Sequence, residues 1–338
     1  MSANIHFISA GAGSGKTYAL TQKLEELLST EAVVPAGVIA TTFTRLAASE
    51  LKERVRSKLI ESNQLPVANQ MEQSLIGTVN SVCGDLLKRF AFEAGMPPDQ
   101  RVLDETQGYS LFFQAMERAL ADDPQLVRQM NAMCHRLQIV NRRNELNWRA
   151  EVKDVINAAR ANNQTADDIR TLGARSADQL LAHFAPPTKR NLDDELLGAV
   201  NHAISGIDTD HDNTKTTRNY LSLITGVRAG LVMRRLTWPE WISLSKKKPG
   251  VKSKAFAEPI ADVAIEYEKH PRLHEDIRNF AEKIFEIAAV SLDSYQLMKT
   301  QKGLIDFVDQ EQRLYRLLDH PTVRETLREE LQLLLVDE

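Results

Sequence analysis

Two short stretches near opposite ends of this 338-residue chain carry residue types suited to holding a polyphosphate and a divalent cation. Near the start, Ala10-Gly11-Ala12-Gly13-Ser14-Gly15-Lys16-Thr17 follow the P-loop pattern, with Ala10 where the strict form has glycine. Such glycines let consecutive backbone N–H groups turn inward around phosphate oxygens, and a helix that follows points its positive end at them. Lys16 would then reach the β- and γ-phosphates, and the Thr17 hydroxyl would bind Mg²⁺. At the far end, Leu331 to Val336 read as a parallel strand buried on both faces, because the run is apolar rather than alternating. Asp337 and Glu338 would stand at its carboxyl end, where α/β sheets place their ligands. In that role Asp337 holds Mg²⁺ through water and Glu338 is the base that orients an attacking water. Alone, an apolar run closing on two acids carries little weight. Paired with the glycine-rich turn, it reads as a Walker B strand.

The elements that must position these residues are legible around them. Residues 5–8 are β-favouring and precede the glycine-rich turn; Leu20, Leu24, Leu27 and Leu28 then recur at helical spacing. Strand, turn and amphipathic helix is the order that phosphate binding requires. Residues 38–60, "VIATTFTRLAASELKERVRSKLI", repeat the arrangement. Val38 to Thr42 read as a buried strand, Thr44 as a helix N-cap, and Ala47, Leu51, Val55 and Leu59 as the buried stripe of the next helix. Arg45, Lys52, Arg54, Arg56 and Lys58 make that segment basic, and composition alone is satisfied by a solvated helix face.

The wording of these segments goes further. "AGAGSGKT" and "TTFTRLAASELKERV" resemble the first two motifs of the UvrD/RecB/AddA-like superfamily 1 DNA helicases. "IGTVNSVCGDLLKRF" at 76–90 resembles the family's third element, and "KGLIDFVDQEQRLYRLL" at 302–318 the segment that precedes its Walker B strand. The motifs stand in the family's order. The resemblance implies a RecA-like α/β lobe with a parallel sheet, ATP and Mg²⁺ as cofactors, and single-stranded DNA and single-strand/double-strand junctions as partners. It also implies ATP hydrolysis coupled to movement along DNA in recombination or repair. By the same resemblance Thr42, Phe43, Thr44 and Arg45, with Thr78, Asn80 and Ser81, would line the path of the single strand. An aromatic ring stacks on any base, and hydroxyls bond phosphate without reading sequence. The chain departs from the family at Asn80, where His is usual, and at Val82, where Phe is usual. No Gln stands among the nine residues before Ala10, where the family usually carries one that reads adenine.

Residues 101–295 carry helical patterning, as in Leu111, Phe112, Met116 and Leu120, with a long helix expected through Ile277, Phe280, Ile284, Ile287, Leu292 and Tyr295. The resemblance makes this an all-helical insertion, so that the expected domains are 1–100, 101–295 and a return to the first lobe at 296–338. Exposed loops are expected at 185–191, 205–217 and 245–254. Asp208, Asp210 and Asp212 have calcium-loop spacing, but Asn213 stands where glycine is required and Asn219 where Glu is required, which favours a solvated loop. Trp238 and Trp241 read as packing residues rather than a base platform. Cys83 has no nearby His base and reads as a small buried residue. Lys246, Lys247, Lys248, Lys252 and Lys254 suit either a solubilising loop or a contact to duplex phosphates.

Composition excludes several other classes. Net charge is −4, so no global basic field announces nucleic acid. Two cysteines without a CxxC pair argue against a disulfide framework or zinc site and suit a reducing cytoplasm. No apolar run approaches membrane-spanning length. The family continues beyond Walker B with γ-phosphate-sensing and arginine residues and a second motor lobe. Residues 1–338 alone are therefore expected to lack helicase activity. Two arrangements remain open: the amino-terminal part of a larger helicase, or an ATP- and single-strand-binding module completed by a partner chain. A P-loop kinase or transporter ATPase would require the later motif matches to be coincidental.

Overall fold

The computed structural model describes residues 5–7, 16–97 and 100–337, and of residues 16 and 17 the backbone alone. In chain order the elements are α1 (Lys16–Ser29), β1 (Val38–Thr42), α2 (Arg45–Glu61), α3 (Leu65–Gln70), β2 (Leu75–Thr78) and α4 (Val79–Arg89). There follow β3 (Arg101–Val102), α5 (Glu105–Leu120), α6 (Pro124–Leu137), α7 (Trp148–Ala161), α8 (Ala166–Leu181) and α9 (Leu192–Gly206). The chain continues through α10 (Lys215–Val232), α11 (Trp238–Leu244), α12 (Glu258–Ala264) and α13 (Pro271–Gln301). It closes with β4 (Leu304–Ile305), α14 (Phe307–Leu317), α15 (Pro321–Glu330) and β5 (Leu333–Val336). These elements fall into two compact units, residues 1–108 with 299–338, and residues 109–298.

The first unit is built on a parallel sheet of order β2-β1-β5 among the described residues. On one face Leu24 and Leu28 of α1 and Leu51, Val55 and Leu59 of α2 bury Val38 and Ala40 of β1, with Leu333 and Leu335 of β5 packed alongside. On the other face Val82, Leu86 and Leu87 of α4 meet Leu314 and Leu317 of α14 and Val323 of α15. Helices on both faces are the usual cover of a parallel sheet.

Three expectations need correction here. The strand expected at 331–336 is shorter and only half covered: Leu334 and Val336 are 57% and 59% exposed. β5 pairs with β1 on one side, and no described element covers its second face, so burial alternates instead of running continuously. The strand expected at residues 5–8 is not formed over its described part, since 5–7 are unpaired and Ile5 and Phe7 are exposed. In α2 the buried stripe is Ala48, Leu51, Val55 and Leu59, displacing Ala47 by one residue because the helix starts at Arg45 directly after its cap.

The second unit is helical. Its main core joins Leu192, Leu196 and Val200 of α9, Tyr220, Ile224 and Val227 of α10, Trp238 and Trp241 of α11, and Ile260 of α12. The long helix expected near 277–295 is α13, which buries Ile284, Ile287, Leu292 and Tyr295. Among the described residues no helix is long and apolar enough to cross a membrane.

Candidate nucleotide and nucleic-acid site

Because β1, β2 and β5 are parallel, their carboxyl ends fall on one edge of the sheet. The register aligns Thr42 with Thr78 and Thr41 with Val336. That edge therefore carries the turn after β1, the turn after β2, and Asp337 after β5. Asp337 is tied in by its backbone N–H, which donates to the Thr41 carbonyl at 2.9 Å.

The turn after β1 is braced from within. Thr42 is buried at 3% exposure, and its hydroxyl donates to the Thr44 carbonyl at 3.0 Å. The Thr44 hydroxyl accepts the Ala47 N–H at 3.1 Å, which caps α2 as a threonine in extended backbone should. Between the two braced threonines Phe43 is 91% exposed, and Arg45 and Leu46 are exposed beside it. Leaving a phenyl ring in water forgoes about 1.5–3 kcal/mol of burial, so folding alone gives Phe43 no reason to stand there. Thr42, expected among the residues touching a ligand, is buried and holds the turn.

The turn after β2 is equally tight. Thr78 caps α4 by accepting the Ser81 N–H at 3.3 Å, and the Ser81 hydroxyl donates back to the Thr78 carbonyl at 2.9 Å. A Cβ on Gly77 would meet that hydroxyl oxygen at 2.2 Å, so a larger residue there would turn the Ser81 hydroxyl out of its bond to Thr78. Asn80 is half-buried, and its Oδ1 has no hydrogen-bond partner. An orphaned buried acceptor is costly unless something else satisfies it. Val82 and Cys83 point inward; burial, aided by the nearby Glu311 carboxylate, pushes the Cys83 thiol up to about 11.

One supporting cluster was not legible as such in the sequence. Lys299 at the end of α13 is 1% exposed; its ammonium donates to Asp306 at 2.9 Å and also to Asp309. The two carboxylates form a capping box at the start of α14, with the Asp309 N–H donating to Asp306 at 2.9 Å. The amide of Gln310, one residue on, lies against Gly84 of α4. The signal was present as an Asp pair three residues apart ahead of an amphipathic helix, but nothing local named Lys299 as its partner.

Ala10, Gly11, Ala12, Gly13, Ser14, Gly15 and Glu338 lie outside the described residues, and Lys16 and Thr17 are seen as the backbone start of α1. No acidic residue occupies the first turn of that helix, so its positive end is not neutralised locally.

In the helical unit, Trp238 and Trp241 are buried around His270, with ring centroids 4.9 and 4.8 Å from it, and serve packing. The Asp208–Asp212 segment is not the uniformly solvated loop expected. Asp208 accepts the N–H of Asp210 at 2.8 Å, whereas Asp212 is buried and accepts hydroxyls from Thr217 at 2.9 Å and Ser253 at 2.7 Å. Burial is tolerated because those hydroxyls satisfy the carboxylate, and they hold its pKa below the ordinary value, with Ser253 the largest contributor.

Known proteins are similar to part of this sequence. DNA helicase II of Haemophilus influenzae is 36% identical over 99 residues, covering 29% of this chain and 13% of the relative. ATP-dependent DNA helicase PcrA of Staphylococcus aureus is 39% identical over 104 residues, 31% of this chain and 13% of the relative. An ATP-dependent helicase/nuclease of Lactobacillus gasseri is 35% identical over 125 residues, 34% of this chain and 10% of the relative. The matched stretches thus span about a tenth of the length of these curated relatives. The profile of the UvrD/REP helicase N-terminal domain matches residues 2–338, nearly the whole chain, and the chain belongs to that family.

Proposed function

We propose that this chain is the ATP- and single-strand-binding portion of an ATP-dependent DNA helicase acting in recombination or repair. The observation that carries the reading is the single sheet edge on which Phe43, Asn80 and Asp337 come together behind parallel strands. Relatives named as ATP-dependent helicases support the nucleotide and DNA classes.

Residues 10–17 would wrap ATP phosphates with backbone N–H groups at the N-terminus of α1. Lys16 holds the β- and γ-phosphates, and Thr17 and Asp337 offer the hard oxygen donors that Mg²⁺ prefers. When bound, the metal neutralises charge building on the phosphate oxygens. Glu338 orients water. The exposed Phe43 ring stacks on a base of the single strand, Arg45 and Ser81 approach its phosphates, and Asn80 Oδ1 gains the donor it lacks. Thr42, Thr44 and Thr78 act mainly by holding the two turns rigid, which is how a sequence-independent stacking site stays preorganised.

The test is binding of fluorescent oligo-dT to wild-type and Phe43→Ala protein, with Mg-ATP present and absent. Salt-sensitive binding weakened by the substitution supports the reading. Wild-type protein that does not bind oligo-dT at low salt refutes it.

A further inference from the structure

The end of α10 leaves apolar side chains bare although the helix before them is well packed. Tyr220, Ile224, Val227 and Leu231 form its buried stripe, whereas Val232 and Met233, the next two residues, are 68% and 65% exposed. The chain reverses immediately afterwards. Arg234 takes the left-handed conformation, with a φ of 52°, at the position where a helix usually ends on glycine. The Arg235 N–H donates to the Gly230 carbonyl at 2.8 Å. Leu236 is buried over Gly230, where a Cβ would lie 3.3 Å from its side chain. This turn is held from both sides, and it leaves Val232 and Met233 facing outward. Arg228, one helical turn before Val232, and Arg234 and Arg235 after Met233 are exposed and make no ion pair among the described residues. The acid that feels Arg234 is Asp193, which already holds Arg272 at 3.0 Å. Cations near a helix C-terminus suit its dipole, which accounts for the arginines but not for the bare apolar pair between them.

We propose that this arginine-rimmed patch docks an acidic peptide segment of another protein, one that intersperses carboxylates with aliphatic side chains. Guanidinium forks bond carboxylates bidentately, and an unbranched methionine adapts to the apolar group that meets it. A patch that offers both charge and apolar surface is complemented by a partner that supplies both. Nucleic acid supplies the charge alone: phosphates have no aliphatic face, and single strands stack on aromatic rings, whereas Val232 and Met233 offer no π-face. A second copy of the same patch would set arginine against arginine, a like-charge juxtaposition that disfavours self-association through it. The inference stands on the helical unit alone. It goes beyond the helicase reading and does not depend on it.

The experiment titrates the full chain with a fluorescent peptide of alternating glutamate and leucine, with polyglutamate of equal charge, and with a short blunt DNA duplex. Wild type is compared with Arg228→Gln/Arg235→Gln and with Val232→Ser/Met233→Ser. These side chains are exposed, so the fold should persist, which circular dichroism checks. Each variant should weaken the glutamate–leucine peptide roughly tenfold, as expected for losing a charge-assisted contact or apolar burial. Polyglutamate should bind more weakly and ignore the serine substitutions, and oligo-dT binding should be unchanged in both variants. No peptide binding by wild type, or undiminished binding by either variant, overturns the proposal. So does a duplex bound more tightly than the peptide and lost in the glutamine variant alone, which would assign the arginines to nucleic acid. A dimer seen by sedimentation and abolished by the serine substitutions also overturns it, because the patch would then belong to a second copy of this chain.

Discussion

The Asp337 backbone N–H donates to the Thr41 carbonyl at 2.9 Å, which sets the acidic end of β5 level with the start of the Thr42–Phe43–Thr44 turn. One inter-strand bond thus joins the residue proposed to hold metal with the turn proposed to hold DNA. Any movement of β5 relative to β1 must register at both.

Phe43 projects from that turn without packing, so its removal separates binding from stability. Phe43→Ala should weaken oligo-dT binding by about 1–3 kcal/mol, the range for one lost base-stacking contact. Its thermal midpoint should match wild type, since an exposed side chain contributes within about 0.5 kcal/mol. Fluorescence anisotropy and a melting curve check both halves.

Much of this edge was readable from sequence because each piece is local. The Thr44 cap, the β1 run and the 3.6-residue stripe of α2 are fixed by neighbours within a few residues. What escaped was non-local. That β5 lies beside β1, with Leu334 and Val336 uncovered, depends on pairing across about 300 residues of chain. The carboxylate of Asp212 reads as solvated in the sequence because its satisfying hydroxyl on Ser253 lies 41 residues away. Lys299 is hidden for a different reason: it stands only a few residues before Asp306 and Asp309, but the turn after α13 and β4 separate them, so no helix or strand period links the cation to its acids.

Two ion pairs of the first unit should differ sharply in worth. Lys299→Met takes the ammonium away from two buried carboxylates and should cost about 3–5 kcal/mol. Arg89→Ala breaks the 2.6 Å pair to Glu330, but both partners are nearly half exposed, and the cost should be about 0–1 kcal/mol. Urea denaturation of the two variants tests the contrast; equal midpoints would show that the buried cluster is not a structural clamp.

Asp212 makes a prediction with a defined sign. Its carboxyl is held below the ordinary value in the folded state by Ser253 first, then Thr217 and Thr214, against the opposing effect of burial. A lowered folded pKa gives stability that is present above the unfolded value of about 3.9 and disappears as pH falls through the folded one. Asp212→Asn should therefore be less stable than wild type at pH near 7, with the gap closing in acid below about pH 4. Denaturation midpoints followed across that range decide it, and a gap constant with pH would contradict the assignment.

Both cysteines should be inert in the native protein. Burial pushes the Cys83 and Cys134 thiols up to about 11, leaving almost no thiolate near neutrality. A chromogenic disulfide reagent should find neither thiol rapidly in native protein and both after denaturation. Fast native labelling of Cys83 would mean that α4 does not pack as described.

Nucleotide binding at residues 10–17 is the central claim, and calorimetric titration of Mg-ATP into wild-type and Lys16→Ala protein tests it most directly. Losing a charge-assisted phosphate contact of about 1.5–3 kcal/mol should weaken binding roughly ten- to hundredfold. Equal affinity in the two proteins would contradict the claim.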